Sequence, residues 1–355
     1  MSAYPEYKES RTSWGIGAMG SVLVEIEADG HTGIGVTTGG AAACYIVERH
    51  LARFLLGQDP RDIERIWDQM WRATQYYGRK GLAVMAISAV DLALWDLLGK
   101  LRGEPVYRLI GGSTRERIPM YATTPNPAAA KSLGFWGAKL PLPHGPADGE
   151  TGMKRNVAMV AEARERVGPD FELMLDCYMA LSVPYTIELA RRIEPYRVKW
   201  IEEFLPPDDY DGHAAVRQAV RSCMLTTGEH EYTRHGFREL LTRRCVDIVQ
   251  PDLTWVGGLS ETRRIAAMAD AFGVPVVPHG GGIFTYHFAR ANPGTPFAEF
   301  LMMDPEGKRI TPAFGDLFRD EPLPVDGHLV LGDRPGWGVT VDRDRLNLTR
   351  PYGGG

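Results

Sequence analysis

Three acidic residues follow successive apolar segments and are candidate ligands of a divalent cation. Asp176, Glu202 and Glu229 lie near the ends of the segments ELMLDCY, VKWIEEF and MLTTGEH. Burying an unpaired charge is costly, so acids are uncommon inside apolar strands unless they have a partner or a function. One such residue is as easily explained by exposure to solvent, but three in succession favour a shared ligand set. Carboxylate oxygens alone suit Mg²⁺, which keeps positions open for water and substrate oxygens.

The two segments that follow end in an aspartate and a histidine. Asp252 ends DIVQPDL, and His279 follows VPVVP. A lone histidine there is usually structural, but a carboxylate bonded to one ring nitrogen fixes the tautomer and raises the basicity of the other nitrogen. Beside a metal ion, such a pair is predicted to act as a general base. The last segment, FAEFLM, contains a further acid, Glu299.

The elements that must position these residues alternate between short apolar segments and amphipathic helices. Repeated βα units indicate a parallel sheet, and about eight of them indicate a closed barrel whose active site lies at the carboxyl ends of the strands. Ser182 and Ser260 are predicted helix N-caps. The strands are predicted at 118–124, 135–142, 172–178, 198–204, 224–230, 247–253, 274–280 and 297–302.

The front third has a different pattern. Residues 20–37 alternate around Asp29-Gly30 and predict a β-hairpin, and one apolar stripe from Ile87 to Leu101 predicts a helix that ends at Gly103. The predicted fold class is α/β, a modified TIM barrel of (β/α)7β type with an α+β capping domain. The predicted division is 1–116 for the cap, 117–303 for the barrel and 304–355 for a segment that completes the cap.

Composition and net charge limit the kinds of partner that the protein is expected to bind. Hydrophobic residues make up 44% of the 355 residues and charged residues 24%, and the net charge is −5, as in ordinary globular proteins. No basic stripe predicts nucleic-acid binding. No apolar run approaches the roughly 18 residues that span a bilayer, and the start of the chain lacks the apolar part of a signal peptide. Four scattered cysteines without a CxxC pair fit a reducing cytoplasm.

At this point the sequence resembles the mandelate racemase branch of the enolase superfamily. VDLALWDLLGKLRGEPVYRLIGG, LDCY, WIEE, TTGEH, QPD, PHG and TPFAEF occur in the family order, and the site residues follow one another at intervals of 20 to 27 residues. The stretches YIVERHLARFL, WIEEFLPPDDY and TTGEHEYTR are most similar to those of its acid-sugar dehydratases. The resemblance covers nearly the whole chain.

The resemblance implies a role for each matching residue. Asp176, Glu202 and Glu229 would hold one Mg²⁺ per subunit, while His279, supported by Asp252, would remove the proton next to the carboxylate of a sugar acid. The 3-hydroxyl would then be lost, to give a 2-keto-3-deoxy acid. The resemblance further implies a protonated or proton-sharing Glu299 at the oxyanion, substrate contacts by Arg11 and Lys139, and a dimer-based homo-oligomer, an octamer. His230 is named as a substrate contact and as a second candidate acid after His279 because it is adjacent to Glu229.

Two departures from the family pattern qualify these expectations. The Lys-x-Lys base of related members is reduced to Lys139 in Ala138-Lys139-Leu140-Pro141, which disfavours racemisation by two bases. The family also has some tens of residues before YKESR, with the first cap strand and a loop that carries a substrate-binding histidine. The chain is expected to lack them, which would affect closure over the substrate.

Three alternatives remain open at the level of sequence. The first is a dehydratase of another hexonate or pentonate, because specificity depends on cap loops. The second is a non-catalytic homologue that binds a sugar acid, which is disfavoured because the metal ligands and the His–Asp pair are present. The third is a metal-dependent barrel hydrolase, which would favour histidine-rich ligands over carboxylates.

Overall fold

A β-hairpin and a group of helices form the front of the molecule in the computed structural model, which describes residues 19–280, 282–304 and 306–352. β1 (Ser21–Ala28) pairs antiparallel with β2 (His31–Thr38), with Ala28 opposite His31. The two residues between them, Asp29 and Gly30, have φ values of 50° and 75°, the left-handed conformation that tight hairpin turns need. The predicted hairpin and its turn are confirmed.

The helices that follow pack on this hairpin. The longest is α3, which ends at Gly103 in the left-handed conformation, as predicted. α3 is buried on nearly all of its faces, and not along one stripe, because the hairpin, the barrel and the C-terminal segment cover it. The helices are α1 (Gly40–Ile46), a π-helical turn (Val47–Leu51), a 3₁₀ turn (Ala52–Phe54), α2 (Ile63–Thr74), α3 (Leu82–Arg102) and α4 (Val106–Leu109).

α3 is also long and apolar enough to cross a membrane by length and composition, although Asp91 and Asp96 interrupt its apolar run. However, 89% of its most apolar window is buried inside the protein. A helix that is apolar on every side is typical of the core of a large protein as well as of a membrane. α3 is a core helix here.

Parallel strands alternate with helices over the middle of the chain. The strands are β3 (Ile118–Thr123), β4 (Gly137–Pro141), β5 (Glu172–Asp176), β6 (Trp200–Glu202), β7 (Met224–Thr227), β8 (Ile248–Val249) and β9 (Ala298–Leu301). The helices are α5 (Pro127–Ser132), α6 (Gly149–Val167), α7 (Val183–Ile193), α8 (Tyr210–Ala219), α9 (Thr233–Thr242), α10 (Gly258–Ala271) and α11 (Ile283–Ala291). Short 3₁₀ turns occupy Pro146–Asp148 and Glu194–Tyr196.

The strands curl into a parallel sheet in the order β9-β3-β4-β5-β6-β7-β8. The predicted strand at 274–280 is represented only by a bridge between Val249 and Val276, because Pro275 and Pro278 have no N–H to contribute to a ladder. β9 pairs with β3, so the last strand closes on the first. The predicted fold class, a modified (β/α)7β barrel with an α+β cap, is confirmed, whereas the predicted domain boundaries stay a prediction.

Residues after β9 return to the front of the molecule. β11 (His328–Leu329) adds antiparallel to the start of β3, and β10 (Phe318–Arg319) pairs with β12 (Thr340–Val341). The buried side chain of Trp337 donates its indole N–H to a carbonyl of α3. The C-terminal segment therefore joins the barrel to the cap.

Two predicted helix caps differ from the structure. Ser182 is the N-cap of α7 but makes no side-chain capping bond. α10 begins earlier than predicted, with Gly257 as its N-cap, so Ser260 lies inside the first turn. Asp91 of α3 accepts hydrogen bonds from the Ser260 N–H at 2.9 Å and the Ser260 hydroxyl at 2.5 Å. A carboxylate from the cap domain therefore satisfies the start of this barrel helix.

Candidate active site

The interior of the barrel is filled by an aromatic and aliphatic layer below the candidate site. Its buried members are Tyr121, Met174, Trp200, Ile248 and Val277. Met174 and Trp200 are neighbours across β5 and β6, and so are Asp176 and Glu202 two residues further on. Because side chains alternate along a strand, Asp176 and Glu202 project to the same interior side, one layer closer to the carboxyl ends.

Lys139 lies between two of the predicted site carboxylates. Its ammonium group is hydrogen-bonded to Glu202 Oε1 and lies 2.8 Å from Glu299 Oε1. Burial would lower the pKa of Lys139, but the charges of Glu202 and Glu299 raise it well above its usual value. Lys139 is therefore a charged residue of the barrel interior, only 1% exposed, and not an ordinary strand-end lysine in solvent.

Glu202 and Glu299 use their remaining oxygens differently. Glu202 Oε2 accepts hydrogen bonds from the Gln250 amide at 2.7 Å and from the Trp200 indole at 3.1 Å. Glu299 accepts from the hydroxyl of Thr123 and, at 2.8 Å, from the N–H of Gly280. These donors fix both carboxyl groups in place.

The structure brings Asp252 and His279 together as expected. Asp252 Oδ2 lies 2.8 Å from His279 Nδ1, and the other ring nitrogen, Nε2, lies 3.3 Å from Glu229 Oε2. Burial would lower the pKa of His279, but Glu229 and Asp252 raise it well above its usual value. His279 thus has the arrangement of an oriented base, next to one of the predicted metal ligands.

A second carboxylate–histidine pair, Glu203 and His230, lies next to Glu229. Glu203 Oε2 lies 2.9 Å from His230 Nδ1, and Glu203 Oε1 accepts the hydroxyl of Thr227 at 2.6 Å. Trp255 lies beside both histidines, with ring centroids 5.6 Å from His230 and 5.5 Å from His279. Glu203 could have been found from the WIEE motif, whereas no sequence signal pointed to Trp255.

The positive groups near the buried carboxylates Glu202 and Glu229 do not fully offset the effect of burial on their pKa values. Burial raises the pKa of Glu202 to about 7, although Lys139 opposes the shift, and it raises the pKa of Glu229 to about 8, although His279 opposes it. A bound divalent cation would favour the charged form of both groups. The donor set, made of hard carboxylate oxygens, also fits Mg²⁺.

Two sets of residues could hold this cation. Glu203, Glu229 and His230 offer ligand atoms that all lie within 4.8 Å of one another. This set shares Glu229 with the predicted ligands and contains Glu203 and His230 in place of Asp176 and Glu202. Asp176 already accepts a backbone hydrogen bond from Tyr178 at 2.9 Å.

The ionisation of Glu299 differs from the expectation. Burial alone would raise its pKa, but the charges of Lys139 and His279 lower it below the usual value for glutamate. The geometry therefore favours a carboxylate that accepts three hydrogen bonds over the protonated group that the resemblance implied. Arg11, the expected substrate contact from the cap, lies outside the described residues.

Comparison with known proteins identifies the class that this fold and site define. Residues 10–111 match the family described as mandelate racemase / muconate lactonizing enzyme, N-terminal domain, and residues 127–345 match the enolase C-terminal domain-like family. The chain belongs to the enolase superfamily, in its mandelate racemase and muconate lactonizing enzyme family, which confirms the predicted resemblance.

Particular relatives are L-rhamnonate dehydratases. The protein of that name from Saccharopolyspora erythraea is 53% identical over 354 residues, which are 99% of this chain and 90% of that protein. The crystal structure of L-rhamnonate dehydratase from Gibberella zeae, also determined as a complex with Mg, has a TM-score of 0.94 and 52% identity, and the alignment covers 96% of this chain and 88% of that one. A racemase from Streptomyces coelicolor with bound magnesium is more distant, at a TM-score of 0.82 and 32% identity over 92% of this chain and 90% of that one.

Proposed function

We propose that this chain is a hydro-lyase that dehydrates L-rhamnonate to 2-keto-3-deoxy-L-rhamnonate in the presence of Mg²⁺. The observation that carries the proposal is the Asp252–His279 pair, in which Nδ1 of His279 lies 2.8 Å from Asp252 and Nε2 lies 3.3 Å from Glu229. The identity of 53% to an L-rhamnonate dehydratase over nearly the whole chain supports the substrate.

His279 is the base of the proposed reaction. Asp252 holds Nδ1, so Nε2 is the nitrogen that faces the other site residues and removes the proton from C2 of the substrate. The electron pair of the broken C2–H bond forms the enediolate, and the C3–O bond then breaks. His279 returns its proton to the departing 3-hydroxyl, which leaves as water, and the resulting enol gains a proton at C3 and loses its hydroxyl proton at C2 to give the 2-keto acid.

Lys139 and Glu299 complete the proposed surroundings of the substrate carboxylate. Lys139 supplies a fixed positive charge in a site that excludes water, where such charges are most effective. Glu299 lies 2.8 Å from this lysine and accepts the N–H of Gly280, so its proposed role is to hold Lys139 in place. His230, held by Glu203, is the second candidate for the acid that protonates the leaving hydroxyl.

Asp176, Glu202 and Glu229 are the proposed metal ligands. Mg²⁺, when bound, would neutralise the substrate carboxylate and the negative charge that develops on it. Glu202 is preferred to its neighbour Glu203 because it shares the interior side of the sheet with Asp176. Burial would raise the pKa of Glu203, but its bonds to His230 and Thr227 lower it. The negative charge of Glu203 is therefore stabilised without a metal ion.

The remaining proposals concern the surroundings of the enzyme. We propose that the subunits form a dimer-based homo-oligomer, an octamer, and that the protein acts in the cytoplasm on a small sugar acid. Arg11 is proposed to reach the substrate from the cap. The proposed domains are 1–116, 117–303 and 304–355.

A screen of acid sugars tests the proposed function. The purified protein, supplemented with Mg²⁺, is incubated with a panel of hexonates and pentonates, and 2-keto-3-deoxy products are measured. L-Rhamnonate is expected to have the highest kcat/KM, and treatment with EDTA is expected to abolish turnover. A higher kcat/KM for another acid sugar would reassign the substrate, and the absence of any product would favour the non-catalytic alternative.

The variant His279→Asn tests the base within the same assay. Asparagine cannot accept the C2 proton, so we expect turnover to fall by at least about 10²-fold, the lower range for general acid–base catalysis. Binding of Mg²⁺, measured by calorimetry, is expected to persist. Turnover at the wild-type rate would contradict the assignment of His279.

A further inference from the structure

A turn held by Asp252 connects the base to the capping domain. Asp252 lies three residues beyond the end of β8, and Thr254 directs two donors at Asp252 Oδ1: its backbone N–H at 2.7 Å and its hydroxyl at 2.6 Å. The other carboxylate oxygen, Oδ2, is 2.8 Å from His279 Nδ1. Oδ1 of Asp252 therefore accepts the hydrogen bonds of the turn, and Oδ2 contacts the histidine.

The cap contacts this same turn. The hydroxyl of Thr37, next to the last residue of β2, donates to the backbone carbonyl of Thr254 at 2.8 Å. Thr37 is only 1% exposed, so its end of the bond is shielded from competing water. A continuous series of hydrogen bonds thus runs from the cap through Thr254 and Asp252 to His279.

We propose that Thr254 is a positioning residue for the Asp252–His279 base and that Thr37 fastens it to the cap. The inference rests on the proposed function of His279 and extends it to two residues that do not touch the substrate. A carboxylate with both Thr254 donors in place cannot rotate about its terminal bond without losing them. The orientation of the imidazole is then set by the carboxylate, as for other histidines oriented by a second group.

Substitution by valine removes the hydroxyl and keeps the shape of threonine. In Thr254→Val the backbone N–H still bonds Asp252, so we expect kcat to fall by about 10-fold, the lower end of the 10- to 100-fold range for loss of an orienting partner. KM for the acid sugar and the affinity for Mg²⁺ should stay within about 3-fold, because the ligands and the substrate contacts are unchanged. Thr254→Ser keeps the hydroxyl and should restore kcat to near the wild-type value.

Two further variants separate positioning from packing. Thr37→Val should lower kcat by less than Thr254→Val, since it acts through one more bond. Thr262→Val is the matched control, because the buried hydroxyl of Thr262 donates at 2.8 Å to a carbonyl of its own helix, α10, and kcat should be unchanged. Misfolding would lower the Mg²⁺-binding fraction and kcat together, whereas positioning lowers kcat alone.

The inference is overturned if Thr254→Val keeps kcat within about twofold of the wild type, or if Thr254→Ser loses as much as the valine variant. If the wild type converts no acid sugar, the proposed function fails, and a crystal structure of Thr254→Val decides this inference by itself. A distance between Asp252 Oδ2 and His279 Nδ1 that stays near 2.8 Å would overturn it, and a rotated carboxylate would support it.

Discussion

Adjacent glutamates in the site have opposite electrostatic environments. Burial raises the pKa of Glu202 to about 7, although Lys139 opposes the shift. Glu203 is equally buried, but its bonds to His230 and Thr227 lower its pKa. The difference arises because consecutive residues at a strand end point in different directions, and Glu203 has in addition a positive φ of 52°. A bound cation would therefore stabilise the charged form of Glu202 more than that of Glu203.

A pair of single-residue variants tests this assignment. Glu202→Gln should weaken Mg²⁺ binding more than 10-fold, since it removes a charged ligand from a site built of carboxylates. Glu203→Gln should weaken Mg²⁺ binding less, because it disturbs the bonds to His230 and Thr227 and removes no proposed ligand. Calorimetric titration of both purified proteins with Mg²⁺ measures the two affinities. A larger loss in Glu203→Gln would assign the ion to Glu203, Glu229 and His230.

Sequence alone indicated most of the charged residues of the site but few of their bonds. Asp252 and His279 could be paired because each follows the end of an apolar segment one unit apart. The contact of Thr37 with Thr254 joins residues 217 positions apart, and no local pattern encodes such a distance. Lys139 was taken for a possible carboxylate contact, and only the folded sheet shows it buried between two glutamates.

At the scale of elements, those encoded by local sequence signals could be predicted, whereas those that depend on distant residues could not. The hairpin and α3 were predictable because a turn dipeptide and a helical repeat are local signals. The strand predicted at 274–280 is not formed as such, since the prolines in VPVVP leave a single bridge. The start of α10 was misplaced because its first turn is satisfied by Asp91, a residue of another helix.

Asp91 provides a prediction about stability and pH. Burial raises its pKa to about 7, although the bonds from Ser260 oppose the shift, while the unfolded value lies near 3.9. The folded state therefore binds the proton more tightly, and its stability falls as the pH rises from about 4 to 7. An asparagine at this position has no charge to bury at any pH.

We expect Asp91→Asn to gain stability relative to the wild type as the pH rises. From pH 5 to pH 8 the difference in free energy of unfolding should move in favour of the variant by roughly 2 to 3 kcal/mol, at 1.36 kcal/mol per pKa unit. Urea unfolding of both proteins at the two pH values measures it. The control is Asp68→Asn, at an exposed pair with Arg72, and a difference independent of pH in Asp91→Asn would contradict the assignment.

The whole molecule is held together by polar contacts around α3 as well as by its apolar core. Asp96 accepts from the N–H groups of Ile34 in the hairpin at 2.8 Å and Trp337 in the C-terminal segment at 2.7 Å. Asp91 accepts from the barrel helix α10. One helix thus bonds three separate parts of the chain, which explains why acids occur in the middle of an otherwise apolar segment.

A second junction between the cap and the barrel lies close to the site. Lys80, between α2 and α3, contacts Asp208 at 2.5 Å and Glu231 at 2.8 Å, and the hydroxyl of Tyr210 lies 3.2 Å from its ammonium group. Glu231 is only 2% exposed and follows Glu229 by two residues. The cap therefore supplies the positive charge for a buried carboxylate of the turn that carries a proposed metal ligand.

Removal of this charge should loosen the junction between cap and barrel. Lys80→Met leaves Glu231 buried without its cation, and we expect a loss of about 1 to 2 kcal/mol, less than for a wholly buried pair because Lys80 is 39% exposed. The double variant Lys80→Met/Glu231→Gln should recover part of that loss, since no charge is then left unpaired. Lys308→Met, at the exposed pair with Glu306, is the control and should change little. Urea unfolding of the wild type, Lys80→Met, Glu231→Gln and the double variant measures the coupling, and strictly additive losses would show that the Lys80–Glu231 contact does not stabilise the junction.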